Sequence, residues 1–267
     1  MTPLEYLGGD QIDQIDQIDG TSWRFRLPRA IHGAFGGVTG GALAAAAVAA
    51  GRASAPGRIA VSLDMHFLRG LATEDATASI EVLSSGRSLT VVRAELSDDS
   101  GRRTTVARIG FAEPTALEPI DSDAPAGQLG PPAPDLDETS RPWRPPRGVE
   151  IPIIETARPR AARLGDAIAT LVTIPWDPDG DGAEGACLAA DLSVGPPVDA
   201  VLPKGTWVPH PNPDVSIRFA GPVTSSDLVA VATCRRVARG AATVESEVWD
   251  GAQLVASAIS TSLFMAA

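Results

Sequence analysis

The sequence contains the run Gly36-Gly37-Val38-Thr39-Gly40-Gly41-Ala42-Leu43-Ala44-Ala45-Ala46-Ala47-Val48-Ala49-Ala50. From position 38 onward its only polar side chain is that of Thr39, so a helix over 38–50 must be buried all round. Each glycine lowers helix stability by about 1 kcal/mol relative to alanine. The four glycines at the start of this run therefore indicate that the backbone comes close to a sheet or to a ligand.

Strand-like segments surround this helix in the first part of the chain. Large apolar and basic residues alternate over 23–27, as in a half-buried strand. After the helix, apolar runs are separated by breaks that contain Gly70, Gly86 and Gly101, which is typical of an antiparallel meander. The predicted strands of this meander are 59–68, 76–83, 89–96 and 104–111.

The second part of the chain repeats this pattern. A helix of small residues is predicted over about 183–194, with strands before and after it at 149–156, 167–174, 215–220, 228–237, 243–249 and 254–264. Equivalent residues of the two parts are offset by 152, 154 and 150 positions, namely Phe67 and Phe219, Gly86 and Gly240, and Gly101 and Gly251. A near-constant offset indicates an internal duplication, so we expect a shared core with a site at the junction.

Composition divides the chain into two repeats and a connection. Residues 114–147 are rich in proline and aspartate and are predicted to be an extended linker between repeats at 1–113 and 148–267. Near the amino end, a three-residue Gln-Ile-Asp repeat covers Asp10–Asp19. It is interpreted either as a short amphipathic turn or as a tolerated low-complexity expansion.

The charge and cysteine content exclude several classes of protein. The net charge of −11 argues against nucleic acid or an anionic membrane as the main partner. The longest apolar run is too short to cross a bilayer, and no signal peptide is recognised. Two isolated cysteines, Cys187 and Cys234, fit a reducing compartment and predict no metal site. We therefore expect a soluble cytoplasmic protein.

One loop is similar to the start of a calcium-binding loop. Asp177-Pro178-Asp179-Gly180-Asp181-Gly182 has the alternating acidic residues, but Leu188 stands where the bidentate glutamate of an EF-hand would be. The preferred interpretation is a turn ahead of the second helix, with Asp181 as a possible helix cap.

Five motifs, in this order, resemble the acyl-CoA thioesterase II family of double hotdog enzymes. They are Ala34-Phe35-Gly36-Gly37, His66-Phe67-Leu68-Arg69-Gly70, Ala189-Ala190-Asp191-Leu192, Asp214-Val215-Ser216-Ile217-Arg218-Phe219, and Asp250-Gly251-Ala252-Gln253-Leu254-Val255-Ala256-Ser257. The resemblance covers most of the chain outside the linker. It implies an α+β double hotdog fold, in which each of two tandem repeats wraps an antiparallel sheet around a central helix. The two sheets are then expected to join edge to edge.

The resemblance also implies hydrolysis of an acyl-CoA thioester by a water held by an Asp, a Thr and a Gln. These positions fall on Asp191, Asn212 and Ser260, so two of the three residue types differ from the family's. Independently, the helical neighbours of Asp191 are apolar or small, which predicts a buried or cleft-lining carboxylate with the raised pKa of a base. The alternative is a side chain that reaches solvent beyond a short helix.

Six further residues are predicted to bind substrate. Backbone N–H groups at Gly36 and Gly37 are candidates to stabilise the oxyanion that forms when the thioester carbonyl is attacked. His32 is a candidate ligand-binding group or base, although an isolated histidine is often structural, and His66 is a weaker candidate. Arg69 and Arg218 are candidates for contacts with the CoA phosphates.

The prediction as a whole is an acyl-CoA thioesterase with no cofactor. Asp191 activates water in this hypothesis, and Asn212 and Ser260 orient it. We expect a homo-oligomer, a dimer of double hotdogs. Two alternatives stay open at this point: a non-catalytic acyl-CoA-binding protein, because Thr and Gln are replaced, and a hotdog hydratase, which lacks its expected histidine after Asp191.

Overall fold

The computed structural model describes residues 1–12, 20–118, 136–144, 148–203 and 208–266. In these residues one antiparallel sheet contains the strands β1 (Asp10–Ile12), β2 (Gly20–Arg26), β3 (Ile59–Phe67), β4 (Asp75–Ser85), β5 (Leu89–Asp98), β6 (Arg103–Ala112), β7 (Arg141–Pro142), β8 (Arg160–Leu164), β9 (Ala167–Thr173), β10 (Asp214–Phe219), β11 (Asp227–Ala238), β12 (Ala241–Asp250) and β13 (Gln253–Leu263). The described helices are α1 (Pro3–Tyr6), α2 (Gly40–Arg52), α3 (Leu136–Thr139), α4 (Ile153–Ala157), α5 (Ala183–Leu192) and α6 (Gly195–Val201).

The strand order joins the two repeats at a single seam. The order is β1-β2-β4-β5-β6-β3-β10-β13-β12-β11-β9-β8-β7. At the seam β3 and β10 are antiparallel and place Leu63 opposite Ile217 and Met65 opposite Val215. All four side chains are buried, so the core is continuous beneath the seam. The predicted edge-to-edge double hotdog is confirmed.

Helices α2 and α5 pack against each other inside this sheet. Every residue of α2 from Gly41 to Gly51 is buried, as the absence of a polar face predicts. The helices approach closely at Gly41, where there is no side chain to keep them apart. A Cβ at this position would lie 2.8 Å from Leu188 Cα and from Cys187 O. This crossing places the first turn of α2 beside the last turn of α5.

The start of α2 differs from its predicted start. The helix begins at Gly40 with Thr39 as its N-cap residue, so Gly36 and Gly37 lie in the preceding loop. Gly36 has a φ of +74°, which favours glycine. A Cβ at Gly37 would lie 2.7 Å from the carbonyl oxygen of Leu71, so this glycine is required for a close loop contact.

The strand predicted over 149–156 is wrong. Residues Ile153–Ala157 form helix α4, and the strand of this region is β8. Pro152 stands at the N-cap of α4, where its fixed φ is compatible with the helix and its missing N–H is not needed. Ile153 and Ala157, four positions apart, are both buried, so the β-branched residues here serve a helical face.

Two other predicted segments are described in part. Asp10–Ile12 form β1 beside β2, and the remainder of the Gln-Ile-Asp repeat lies outside the described residues. In the predicted linker, the described residues form a 3-10 turn at Pro114–Ala116, then α3 and β7, and β7 pairs with β8. The repeat boundaries at 113 and 148 stay predictions. No helix in the described ranges is both long and apolar enough to span a membrane.

Candidate active site

A cavity of about 730 Å³ opens where the first turn of α2 meets the last turn of α5. The first repeat supplies its wall with residues of the loop before α2 and the end of β3. The second repeat supplies the residues around α5 and α6 and the loop before β10. Hydrophobic side chains cover most of this surface, and they include Phe35, Leu43, Phe67, Trp143, Ile151, Ile153, Ile154, Leu192, Leu263 and Met265.

Asp191 lies in the wall of this cavity, at the C-terminal end of α5. Burial raises its pKa above the ordinary value of an aspartate, while the backbone N–H of Gly41 and the side chain of Asn212 offset part of that shift. A Cβ at Gly40 would lie 2.9 Å from Asp191 Oδ1. The carboxylate therefore lies directly at the amino end of α2, where the helix dipole is positive.

Asn212 is held beside Asp191 by a serine of β13. The Asn212 Nδ2 donates to Asp191 Oδ1 at 3.4 Å, and Ser262 Oγ donates to Asn212 Oδ1 at 2.7 Å. Because the amide oxygen accepts from the hydroxyl, the amide nitrogen faces the carboxylate. The same hydroxyl lies 3.3 Å from the carbonyl oxygen of His210, so β13 positions this loop at two points.

Ser260, the third residue of the predicted set, lies two positions before Ser262 on β13. It is buried and pairs with Val215 of β10 and Val244 of β12. Within the described residues it makes no hydrogen bond to Asp191 or Asn212. Asp191 and Asn212 are therefore in contact, and the serine that contacts Asn212 is Ser262 and not Ser260.

The predicted substrate-binding residues of the loop before α2 lie on two sides of that loop. Gly37 lines the large cavity, and Gly36 and His32 line a smaller cavity of about 320 Å³. His32 is buried, and its Nε2 has no hydrogen-bond partner in the described part of the chain. Its carbonyl oxygen accepts from the N–H of Ile153, so it also connects the loop to α4.

Of the other predicted binding residues, one lines the large cavity and two do not. Arg69 lines the large cavity, just after the end of β3. His66 is exposed on β3, and neither it nor Arg218 is among the residues that line that cavity. The Arg218 guanidinium pairs with Asp64 at 3.0 Å and is 59% exposed, so it belongs to the outer face of the sheet. Of the two arginines, the structure brings only Arg69 to the cavity.

Two polar residues of the cavity wall, Thr39 and Asp199, were given no role from the sequence. Thr39 is buried at the N-cap of α2, and its hydroxyl has no hydrogen-bond partner among the described residues. Asp199 of α6 and His210 of the loop before β10 are paired through Nε2 and Oδ1 at 3.2 Å. A threonine in the first positions of a predicted helix, as Thr39 is in the helix predicted over 38–50, is an N-cap signal that points to the first of these residues. The Asp199–His210 pair has no short-range signal.

The opposite end of the helix pair contains a buried ionic cluster. Arg52, at the C-terminal end of α2, contacts Asp181 at 2.6 Å and Glu184 at 3.1 Å. The Asp181 carboxylate also accepts from the backbone N–H groups of Ala60 and Ala183, so it contacts the first residue of α5, although the N-cap residue is Gly182 and not Asp181 as predicted. Burial raises the pKa of Glu184 to about 7 although Arg52 opposes this shift. In the loop with the EF-hand-like pattern, the Asp181 carboxylate therefore pairs with the Arg52 guanidinium.

No group of three or more His, Cys, Asp or Glu side chains that could bind a metal is present in the described ranges. The cavity walls offer two carboxylates, an imidazole, a guanidinium, an amide, the hydroxyl of Thr39 and backbone N–H groups instead. These groups can orient a water and take a proton from it. They suit the hydrolysis of a carbonyl compound.

Residues 28–112 match the model of the acyl-CoA thioesterase N-terminal domain family. Over these residues the chain is similar to an acyl-CoA thioesterase N-terminal domain. The predicted resemblance to the acyl-CoA thioesterase II-like family is confirmed. The matched thioesterase domain contains Thr39, Gly40 and Gly41, whereas Asp191 and Asn212 lie outside it. None of the curated proteins matches the chain.

Solved structures resemble the thioesterase domain and the second repeat together. A provisionally named thioesterase II from Thermobifida fusca has a TM-score of 0.75 at 18% identity, covering 100% of this chain and 98% of its own. The acyl-CoA thioesterase II TesB2 from Mycobacterium marinum has a TM-score of 0.69 at 19% identity, with 100% and 98% covered. A hot dog fold protein from Alicyclobacillus acidocaldarius has a TM-score of 0.70 at 18% identity, with 94% and 96% covered. At this identity the likeness establishes the fold.

Proposed function

We propose that this protein hydrolyses acyl-CoA thioesters with a water activated by Asp191. The matched family and the fold support acyl-CoA thioesterase activity in general. The observation that carries the specific proposal is one carboxylate with a raised pKa in the wall of a large apolar cavity, hydrogen-bonded to a fixed amide. A raised pKa makes a carboxylate a stronger base for a water proton.

In the proposed step, a water lies between Asp191 and the carbonyl carbon of the thioester. Asp191 takes one proton as the water oxygen bonds to that carbon, and Asn212 Nδ2 orients the water with its second N–H. The tetrahedral intermediate then breaks the carbon–sulfur bond and releases the acid and the thiol. Ser260 was predicted to help orient the water. In this proposal Ser262 does so indirectly, because its hydroxyl holds the amide of Asn212.

The oxyanion of this intermediate is assigned to the first turn of α2. Free N–H groups point out of the amino end of a helix and stabilise negative charge there. Gly40 and Thr39 line this side of the cavity, and the Thr39 hydroxyl has no hydrogen-bond partner among the described residues, so both are candidate donors. In this assignment Gly36 and Gly37, predicted for the same role, shape the loop that leads to these donors.

The acyl group is assigned to the apolar wall of the cavity. Leu43, Phe67 and Ile153 contribute to it from three different segments of the chain. Burying each methylene of an acyl chain contributes about 0.8 kcal/mol to binding. Arg69 is the arginine at this cavity that can meet a CoA phosphate, since Arg218 is paired with Asp64 on the outer face.

The proposal is tested by thiol release from acyl-CoAs of increasing chain length, from acetyl to palmitoyl. Wild type is compared with Asp191→Asn, which keeps the size of the side chain and removes the base. We expect turnover by the wild type and a loss of at least about 1,000-fold in the variant, equivalent to about 4 kcal/mol of barrier. Saturable binding without thiol release by the wild type would contradict hydrolysis and favour an acyl-CoA-binding protein.

A further inference from the structure

A carboxylate–imidazole pair shares the cavity with Asp191 and has no part in the mechanism so far. Asp199 and His210 both line the cavity wall, and His210 Nε2 lies 3.2 Å from Asp199 Oδ1. The side chain of His210 is 12% exposed and that of Asp199 is 31% exposed. The pair is therefore largely shielded from bulk solvent but open to the cavity.

The Asp199–His210 pair and the Asp191–Asn212 pair are built from the same elements of the fold. Asp191 and Asp199 come from consecutive helices, α5 and α6, and their partners Asn212 and His210 come from one short loop. Each acidic residue thus contacts one residue of the loop before β10. Both partners are within hydrogen-bonding reach of the same hydroxyl, since Ser262 Oγ contacts Asn212 Oδ1 and the His210 carbonyl oxygen. The backbone of His210 is therefore positioned by the same serine that positions the side chain of Asn212.

Packing and hydrogen bonding leave one ring nitrogen of His210 for substrate. Phe264 packs edge-on against the imidazole with ring centroids 6.3 Å apart. Nε2 is directed to Asp199, and within the described residues Nδ1 has no hydrogen-bond partner. The carboxylate of Asp199 orients the ring through Nε2, and Nδ1 is left as the nitrogen that can donate a proton to a bound substrate.

Thioester hydrolysis uses two proton transfers, and Asp191 accounts for one. A proton leaves the attacking water, and a proton reaches the sulfur after the carbon–sulfur bond breaks. An alkyl thiol such as that of CoA has a pKa above neutral, so its thiolate is helped by a proton donor as it departs. The cavity supplies a carboxylate for the first transfer and an imidazole for the second.

We infer that His210, oriented by Asp199, is the general acid that protonates the leaving sulfur. The inference rests on the proposed hydrolysis. When the tetrahedral intermediate collapses, the electron pair of the carbon–sulfur bond moves to sulfur, and the proton on Nδ1 transfers to that sulfur. The ring is left neutral, with its remaining proton on Nε2 facing Asp199. The proton that Asp191 took from water then passes to solvent, and the ring regains its proton from solvent.

The test compares two thioesters of one acyl group with leaving thiols of different acidity. One is the acyl-CoA and the other is an aryl thioester, whose thiol is acidic enough to leave unprotonated. His210→Gln is expected to lower kcat on acyl-CoA by about 100-fold, a usual contribution of general acid catalysis, and to leave kcat on the aryl thioester within a few-fold of wild type. Asp199→Asn is expected to give the same split at smaller size, because it acts by orienting the ring.

Controls separate this inference from the proposed function. Arg235→Gln changes a residue that is 42% exposed, pairs with Glu245 and lies outside the cavity lining, and it is expected to leave both rates unchanged. Equal loss on both thioesters in His210→Gln, or no loss on either, would overturn the general-acid role while Asp191 kept its own. If Asp191→Asn also retains full activity on both, the proposed hydrolysis at this site is wrong as well. A thermal unfolding curve for each variant shows whether a lost rate reflects a lost fold.

Discussion

The two ends of the α2–α5 helix pair each contain a buried or partly buried carboxylate, but only one end also contains an arginine. At one end Asp191, from the C-terminal end of α5, meets the first turn of α2 beside a cavity of about 730 Å³. At the other end Arg52, from the C-terminal end of α2, meets the first turn of α5, where Asp181 and Glu184 surround its guanidinium. The duplication produces two similar helix ends. We call the Asp191 end the open end, because it borders the cavity, and the Arg52 end the closed end, because an ion pair fills it.

The difference lies in what compensates each buried carboxylate. Glu184 is 2% exposed, and an arginine and a second carboxylate are packed against it. Asp191 has an amide and a backbone N–H for partners, but no cation contacts it among the described residues. An uncompensated carboxylate beside an apolar cavity destabilises the fold and is a better base. In the proposed mechanism the Asp191 end carries the chemistry, and we expect the Arg52 end to hold the repeats together.

Removing the cation of the closed end should have the largest effect on stability. Arg52→Ala leaves Asp181 and Glu184 without their partner, and breaking a buried ion pair costs about 3–5 kcal/mol. The loss should shrink below pH 7, because Glu184 can then take up a proton. Urea unfolding at pH 8 and at pH 5.5 measures this. Arg108→Ala, which removes an exposed partner of Asp64, is the matched control and should cost no more than about 1 kcal/mol.

Closing the helix crossing should have the next largest effect. Gly41→Ala places a Cβ 2.8 Å from backbone atoms of α5, so the helices must separate. We expect a loss of about 2–3 kcal/mol in unfolding free energy, typical of overpacking, together with a fall in turnover because Asp191 moves with α5. Gly86→Ala is the control, since the nearest atom to its Cβ lies at 3.5 Å. Equal stability of the two variants would contradict the close crossing.

Removing the amide at the open end should change the pH dependence of turnover. The hydrogen bond from Asn212 lowers the pKa of Asp191, so Asn212→Ala raises that pKa further. The deprotonated carboxylate is the base, and the acid-side fall of kcat/KM should therefore move to higher pH. We also expect about a 10- to 100-fold loss at the optimum. Ser262→Ala should show the same shift at smaller size; an unmoved pH profile in both variants would count against Asp191 as the base.

Neutralising Glu184 should have the smallest effect on turnover and should change the pH dependence of stability. Its pKa in the folded protein is about 7, above the ordinary 4.5, so the folded state binds more protons between these values. Stability therefore falls as pH rises from about 4.5 to 7, by at most about 1.4 kcal/mol per pH unit. Glu184→Gln removes this dependence, which is measured by urea unfolding across that range. A slope equal to that of the wild type would show that Glu184 is ionised throughout.

Patterns within a repeat were enough to predict most of the fold. The buried helix and the meanders follow from apolar periodicity and from the near-constant offset between the repeats, whereas the edge-to-edge junction was implied by the resemblance to double hotdog enzymes. The strand predicted over 149–156 failed because β-branched residues beside Pro152 read equally well as a buried helical face, and only packing decides between them.

The site was less accessible to sequence reasoning because its contacts are long-range. Asp191 could be selected from its apolar helical neighbours, but its surroundings depend on distant segments. Whether Ser260 or Ser262 faces Asn212 depends on how the end of β13 pairs with the loop before β10, where the N–H of Leu263 bonds to the carbonyl oxygen of Pro211. Arg52 and Glu184 are 132 residues apart, and no local pattern connects them.

The central claim is tested most directly by the same isosteric change at the two ends of the helix pair. Thiol release from one acyl-CoA is measured for Asp191→Asn and Glu184→Gln beside wild type, with folding checked by thermal unfolding. We expect Asp191→Asn to lose at least about 1,000-fold and to be as stable as wild type or more so at neutral pH, because it removes an uncompensated buried charge. Glu184→Gln should keep turnover within a few-fold of wild type. Full turnover by a folded Asp191→Asn, or collapse of turnover in a folded Glu184→Gln, would contradict the assignment of the chemistry to the Asp191 end.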